Sequence, residues 1–409
     1  MAVVVSGMTV SFADRMCISV ALPYIAHDMH LSPAAMGIVL SAFFLGYTLV
    51  QVPGGILADK VGARKIMTIA LVWWSLFTAI TGLVVTMTQM LVARIIFGVG
   101  EGIYLGGSTK SMSVWFPRRE RSTAMSIKLA STSLGTAITP PIVVAIMALW
   151  GWRSVFYFLC IPGILVAILT WKYVRDRPSD STLVSKEELR EIESDETSGS
   201  YAVSKSATIW EVMRVGVVLK MFVIYFFLDI TMWGFSTWLP SYLVKVRGLT
   251  MIKMGIYASL PFILGTAGMM LAGWASERYF KHSRKYFIIV LEVISAVLLY
   301  CMFTAKSVPA TIIFQAVAGG TIWATIGAFW ALPMNIIPPS VMGTAGAFVN
   351  TGGQLAAFLS PMIVGFAVQW SQGNFDVAFW ILIVSALISA AIVLTVKEPK
   401  PAMASKVTA

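Results

Sequence analysis

Residues 33–65 read PAAMGIVLSAFFLGYTLVQVPGGILADKVGARK. The first part, 33–56, carries no charge, and a helix needs about 20 predominantly apolar residues to cross a bilayer. A membrane-spanning strand would alternate polar and apolar side chains, and this run does not. Directly after it come Asp59, Lys60, Arg64 and Lys65. The stretch therefore reads as a spanning helix that ends in a basic loop.

The same pattern recurs along all 409 residues. Apolar runs near 3–24, 33–56, 67–86, 89–110, 122–147, 153–173, 217–244, 253–276, 286–303, 308–331, 342–367 and 375–395 predict twelve spans. The composition agrees: 58% of residues are hydrophobic and 12% charged, against roughly 45–50% and about 25% in soluble domains. A soluble protein of that kind would expose large apolar patches and aggregate. The chain is read as an all-α integral membrane protein with the lipid bilayer as its solvent.

A formal charge of +11 raises the question of nucleic acid. The basic residues form no patch interleaved with aromatics; they cluster in loops between spans, as cytoplasmic loops do. No nucleic-acid partner is expected. Lys60, Arg64 and Lys65 follow span 2; Arg118, Arg119 and Arg121 follow span 4; Arg278, Lys281, Arg284 and Lys285 follow span 8; Lys397 and Lys400 follow span 12. Loops after spans 1 and 3 have no Lys or Arg. Both termini are expected on the cytoplasmic side. The first run contains Asp14 and Arg15 and has no small-residue cleavage site, so it is not read as a signal peptide.

Residues 175–215 break the apolar pattern and read as a solvated linker. They divide an N-terminal six-helix bundle (1–174) from a C-terminal one (216–397), with a cytoplasmic tail at 398–409. An internal repeat supports the division. GGILADK at 54–60 matches AGWASER at 272–278, FPRRERSTA at 116–124 matches IPPSVMGTA at 337–345, and TPPIV at 139–143 matches SPMIV at 360–364, at nearly constant spacing. Two copies pointing the same way imply a pseudo-two-fold axis along the membrane normal, with a transport path expected at their interface.

Gly55 to Lys65 (GILADKVGARK) resembles the signature loop between helices 2 and 3 of the major facilitator superfamily. Gly55 permits close helix packing, Asp59 can cap a neighbouring helix or pair with nearby cations, and Arg64 belongs to the same conformational latch. FADR at 12–15, SAFFLGYTLVQVPGG at 41–55, RIIFGVGEG at 94–102, WFPRRERSTA at 115–124 and STWLPSYL at 236–243 resemble the anion:cation symporter family within it. The resemblance implies the major facilitator fold, with twelve transmembrane helices in two pseudo-symmetric six-helix bundles. It also implies uptake of an organic carboxylate with protons, in bacteria across the inner membrane, by a monomer. Thr132 stands where galactonate carriers of the family have a sugar-binding glutamine, which counts against a polyhydroxylated substrate.

The intramembrane charges sharpen this. Of 19 Asp and Glu residues, nine lie in the linker, and only Asp14, Glu101, Asp229 and Glu292 fall within spans away from their ends. A charge at the bilayer centre costs roughly 2.5–3.5 kcal/mol or more, so it persists where paired, hydrated or useful. Asp14 and Arg15 are neighbours in span 1; Arg94 and Glu101 share a face of span 4, about 10 Å apart along the axis. Protonating Asp14 or Glu101 would free an arginine to take a substrate carboxylate bidentately. Asp14 and Glu101 are the expected proton carriers, Arg15 the first anion contact, and Arg94 the partner of one acid with a possible substrate role. The competing reading is a static ion network tying helices 1 and 4 together.

Lys128 either snorkels to the cytoplasmic face or offers the cavity a second cation, suiting a dicarboxylate or phosphorylated substrate. Asp229 pairs with another helix or faces the cavity; Glu292 is expected at the periphery. Tyr47 falls at a family substrate position, and Trp330, Asn350 and Gln354 are expected to line the C-terminal side. Trp233 and Trp238 fit packing better.

Other classes are disfavoured. No GxxxxGK[ST] motif is present for ATP-driven pumping. Three cysteines and three histidines offer no nucleophile, metal or cofactor constellation, so an enzyme is not expected, and the only coupling species is a proton. A channel would want repeated rings of polar residues, whereas these charges sit mainly in the first half. The same fold also allows an organic-anion antiporter or exporter.

Overall fold

Polar residues between the apolar runs start and stop the helices in the computed structural model, which describes residues 1–181, 184, 185, 187–189, 192, 216–280, 283–337 and 339–396, the side chains of 118, 119, 121, 122, 126, 277, 335 and 339–343 lying outside it. The helices are α1 (Ala2–Asp28), α2 (Pro33–Val61), α3 (Ala63–Thr81), α4 (Met87–Trp115), α5 (Arg118–Trp150) and α6 (Trp152–Tyr173), then α7 (Gly216–Lys245), α8 (Met251–Arg278), α9 (Arg284–Thr304), α10 (Val308–Phe329), α11 (Pro339–Trp370) and α12 (Asp376–Leu394). All twelve predicted spans are present, each long and apolar enough to cross a membrane.

The ends follow ordinary capping chemistry. Ser32 accepts from the Ala35 N–H at 3.2 Å, with Pro33 opening α2. Thr86 and Gln89 form a reciprocal capping box at the start of α4, which satisfies two amides the helix cannot bond itself. The third span was expected at 67–86; the helix instead runs Ala63–Thr81. It starts directly after Gly62, whose φ of +101° ends α2; that left-handed region is readily open only to glycine. The tenth span turns at Trp330 and continues as a short helix, Ala331–Ile336.

The described residues group into two compact units. One holds α1–α6 with 236–263 and 358–378; the other holds 216–235, 264–357 and the part of α12 from Phe379. In the first unit α2 and α4 meet backbone to backbone. A Cβ on Gly102 would stand 2.6 Å from the Tyr47 carbonyl oxygen, and one on Gly106 would stand 2.7 Å from the Gly55 Cα. Small residues at such crossings let membrane helices approach closely, and this crossing sets Phe43 and Tyr47 of α2 against the charged face of α4.

In the second unit the core joins α7, α9, α10 and α11. Tyr225 stacks on Phe329 at 4.9 Å, Phe222 stacks on Phe348 at 4.8 Å, and Ile224, Ile288, Ala345 and Val349 pack around them.

Candidate functional site

The charged residues of α1 and α4 converge inside the first unit. Ser11 and Arg15 stand one turn apart on the same face of α1, and both reach Glu101 of α4. Arg15 Nη2 lies 2.5 Å from Glu101 Oε1, with side chains 8% and 1% exposed; the Ser11 hydroxyl donates to the same oxygen. Glu101 Oε2 is buried without a hydrogen-bond partner. The Arg15 guanidinium is caged by aromatic faces, 4.5 Å from Phe12, 4.7 Å from Phe43 and 4.8 Å from Tyr47. Desolvated cation–π contacts of this kind contribute about 2 kcal/mol or more.

Arg94 is 1% exposed. Its guanidinium lies 4.5 Å from the Phe97 ring and 5.5 Å from Phe43, so Phe43 touches both arginines. Arg94 makes no ion pair among the described residues. Sequence spacing set Arg94 and Glu101 on one face of α4 and made Arg94 the partner of an acid. The close ion pair is the one between helices, because the glycine crossing and the α1 contact bring Arg15 to Glu101, while Arg94 interacts electrostatically with Asp14 and Glu101 without such a contact. Asp14 is wholly buried, and neither carboxylate oxygen has a hydrogen-bond partner.

Lys128 on α5 does not snorkel. It is 2% exposed and its ammonium donates to the Thr109 hydroxyl on α4 at 3.0 Å. Thr132, one turn further along α5, is buried and gives its own proton to the Leu129 carbonyl at 2.7 Å, leaving only lone pairs to offer. Gly135 of the same helix packs against Thr9 and Phe12 of α1. The first unit thus gathers Asp14, Arg15, Tyr47, Arg94, Glu101, Lys128 and Thr132 on α1, α2, α4 and α5, with more cations than carboxylates.

Trp330, Asn350 and Gln354 belong to the second unit. Trp330 is half-buried and packs edge-on against Tyr225 at 5.2 Å. Asn350 is half-buried one turn before Gln354, whose Oε1 is buried without a hydrogen-bond partner. Asp229 is buried against Gly353, its Oδ1 unpartnered. Glu292, expected at the periphery, is buried at 3% exposure because α9 turns this residue into its own unit. Trp238 packs, its indole donating to the Pro361 carbonyl at 3.0 Å.

The α2–α3 loop is held by the end of α6. Asp176 Oδ1 accepts from the Arg64 backbone N–H at 2.9 Å, a carboxylate cap at a helix N-terminus. The Arg64 side chain stacks 4.1 Å over Trp171 and donates to its carbonyl at 2.9 and 2.6 Å. Of the two roles open to Asp59, it takes the ion pair: Lys110 lies 3.4 Å away, at an Asp59 side chain 76% exposed. Lys110 also donates to the Ala58 and Asp59 carbonyls at 3.0 and 3.1 Å. At Gly55 the contact that excludes a Cβ falls on the facing Gly106.

Ser11, Phe43 and Asp176 were not singled out from sequence. Ser11 and Phe43 precede Arg15 and Tyr47 by four residues, a spacing that puts each pair on one helix face; Asp176 carries no such signal.

Twelve membrane-length helices make a polytopic membrane protein, and its first unit holds a buried, charge-paired centre. The Major Facilitator Superfamily profile matches residues 4–361, and the chain belongs to that superfamily. It is 32% identical over 403 residues to the probable sulfoacetate transporter SauU of Cupriavidus necator, covering 95% of this chain and 93% of that one. It is 29% identical to the hexuronate transporter of Bacillus subtilis, over 90% of this chain and 87% of the relative. The probable galactarate/D-glucarate transporter GarP of Escherichia coli is also 29% identical, over 88% and 85% of the two chains. Among solved structures, a bacterial homologue of the human lysosomal transporter Spinster superposes with a TM-score of 0.80 at 18% identity, covering 96% of this chain and 95% of the other. A D-xylose–proton symporter superposes with a TM-score of 0.74 at 18% identity, covering 97% of each chain. The fold is the major facilitator fold, and the protein is a transporter rather than an enzyme.

Proposed function

We propose that the protein is a secondary active transporter that imports a small organic carboxylate with protons by alternating access, across the inner membrane of a bacterium, with both termini cytoplasmic. The observation that carries this reading is the buried ion pair of Arg15 and Glu101. Protonating Glu101 removes the charge that holds Arg15, and a substrate carboxylate then takes over the guanidinium, with two parallel N–H···O bonds available to it. Substrate release lets Glu101 lose its proton and recapture Arg15. Binding and protonation are thereby made interdependent.

Asp14 is the second proposed proton carrier, set within the same core. Arg94, buried with no ion pair among the described residues, is the second proposed anion contact, with Tyr47 and Thr132 as neutral neighbours. Trp330, Asn350 and Gln354 are the second unit's candidates for contact with substrate. Relatives named as carriers of sulfoacetate and of sugar acids support an organic anion. Lys128 favours, among such anions, one with two acidic groups. The latch of Gly55, Asp59 and Arg64 is assigned to conformational change, the protein to a monomer, and the coupling ion to a proton without a bound cofactor.

The test is reconstitution in proteoliposomes. An inwardly directed proton gradient should drive accumulation, and uptake should alkalinise the external medium. Sugar acids, aromatic acids and small di- and tricarboxylates are first screened by thermal shift, and the substrate is the compound that stabilises wild type but not Arg15→Ala. Accumulation indifferent to the proton gradient would overturn symport.

A further inference from the structure

Neighbours in an α-helix point about 100° apart, and Asp14 and Arg15 use that angle to reach different parts of the first unit. Arg15 turns to Glu101 and the aromatic cage of Phe12, Phe43 and Tyr47. Asp14, wholly buried, turns to α3 and α6. The side-chain donor that meets its carboxylate is the indole of Trp74 on α3. The charges that reach it are those of Glu101 and Arg94 on α4. The thiols of Cys17 on its own helix and Cys160 on α6 are the other titratable groups facing it among the described residues.

Trp74 is held in place from several sides. It is 0% exposed. Its Nε1 lies at the α3–α6 contact, where a Cβ on Gly163 of α6 would stand 3.6 Å from it; Cys160 precedes Gly163 by three residues on the same helix. The ring packs edge-on against Tyr104 of α4, with centroids 5.0 Å apart, and the Tyr104 hydroxyl abuts Gly7 of α1. Four helices thus close around one acid and one indole N–H.

Both groups are unspent. Trp74 Nε1 and the two Asp14 oxygens are buried without hydrogen-bond geometry to any partner, so donor and acceptor face each other without the alignment of a bond. A neutral carboxyl asks little of such a neighbour, because burial penalises the charged form and not the protonated one. Loss of the proton changes this. An indole N–H can only donate, and a hydrogen bond to an ionised acceptor is shorter and stronger than one to a neutral acceptor. The carboxylate is therefore the form that Trp74 stabilises. If Trp74 merely filled the space between α3, α4 and α6, its N–H would be immaterial and any ring of similar size would serve.

We propose that Trp74 is the positioning residue for proton transfer at Asp14, its indole N–H holding the ionised carboxylate on the α3–α6 side of α1, away from the Arg15 guanidinium. This deepens the symport reading and rests on Asp14 being a proton carrier. The two carriers then answer to different partners. Glu101 shares Arg15 with the substrate, whereas Asp14 is set by a residue that touches neither, so Trp74 tunes the pH dependence and not the substrate affinity.

The test is infrared difference spectroscopy of full-length protein in proteoliposomes, titrated with pH. The carbonyl band of a protonated carboxyl that vanishes in Asp14→Asn belongs to Asp14. In Trp74→Phe the midpoint of that band is expected to move to higher pH by about one to two units, the strength of a hydrogen bond to a charged group. Trp74→Met also lacks a donor; it should give the same shift, and it serves if the phenylalanine variant does not fold. Tyr104→Phe, which alters the packing against Trp74 but removes no donor from Asp14, should leave the band where it is. The pH profile of uptake should follow the band, with KM for substrate within two-fold of wild type once the protein is fully protonated. An unmoved band in the Trp74 variants, an equal shift in Tyr104→Phe, or an Asp14 band that does not titrate would each overturn the assignment. Accumulation indifferent to the proton gradient, with the band still shifted by Trp74→Phe, would overturn symport while upholding the hold of Trp74 on Asp14.

Discussion

Arg15 on α1 and Glu101 on α4 form an ion pair at 2.5 Å in a core where both are more than nine-tenths buried. Two helices of one bundle, their paired side chains 86 residues apart in sequence, are joined there by charge, and the Ser11 hydroxyl reinforces the acceptor. A buried pair of this kind is asymmetric in its consequences. Taking both charges away together can be nearly neutral, whereas removing one strands the other in a low dielectric.

Arg15→Ala leaves the Glu101 carboxylate without its cation and is expected to destabilise the protein by about 3–5 kcal/mol. Unfolding of detergent-solubilised protein, followed by intrinsic fluorescence, reads this loss. It should shrink when Glu101→Gln is added. A double variant no more stable than Arg15→Ala alone would show that the pair does not carry charge compensation.

Glu101→Gln keeps a hydrogen-bond acceptor for Arg15 and Ser11 but cannot cycle a proton. Folded protein is expected, with gradient-driven accumulation lost and substrate counterflow retained. Parallel proteoliposome assays separate the two. Normal accumulation in both Glu101→Gln and Asp14→Asn would leave the proton carriers elsewhere, and the charges would then be a static network.

Arg94 packs against the Phe97 and Phe43 rings and feels the charges of Asp14 and Glu101 without forming an ion pair among the described residues. Arg94→Lys retains the charge but not the planar fork that binds a carboxylate bidentately. Hydrogen bonds to charged groups contribute about 1.5–3 kcal/mol each, so an apparent affinity loss of roughly ten- to hundred-fold is expected in initial-rate uptake. An unchanged KM for uptake would remove Arg94 from the substrate contacts.

The helices were legible because bilayer solvent permits only long, internally bonded apolar segments. Their ends were less so: Gly62 moved α3 forward by its backbone conformation, which apolar content does not register. The charged cast of the site was also legible, since so few ionisable residues fall within spans. Who pairs with whom was not. Arg94 and Glu101 share a helix face, yet pairing is decided by the α2–α4 glycine crossing and the docking of α1, both tertiary. Glu292 shows the same limit, because apolar neighbours in sequence do not reveal which face of α9 turns inward.

Asp176 and Gly62 make a separate prediction about the α2–α3 loop. Asp176→Ala uncaps α3 and should cost about 0.5–2 kcal/mol. Gly62→Ala meets two penalties: a φ of +101°, and a Cβ 2.6–2.8 Å from the Asp176 carboxylate. It should therefore be the more destabilising of the two in thermal unfolding, and Asp176→Ala should relieve part of its effect in the double variant. Additive losses would show that the two residues act independently.

Lys128 distinguishes between classes of substrate. Its ammonium is buried and donates to the Thr109 Oγ1 at 3.0 Å, and no carboxylate pairs with it among the described residues. Lys128→Met keeps an unbranched side chain of similar length and removes the charge. If this cation meets a second acidic group, uptake of a dianion should fall ten-fold or more, about 1.4 kcal/mol, while a matched monoanion keeps its rate. Equal losses for both would make Lys128 structural. Stability separates the readings further: a buried ammonium with one neutral partner is costly to desolvate, so the variant should unfold at or above the wild-type temperature when no substrate is present.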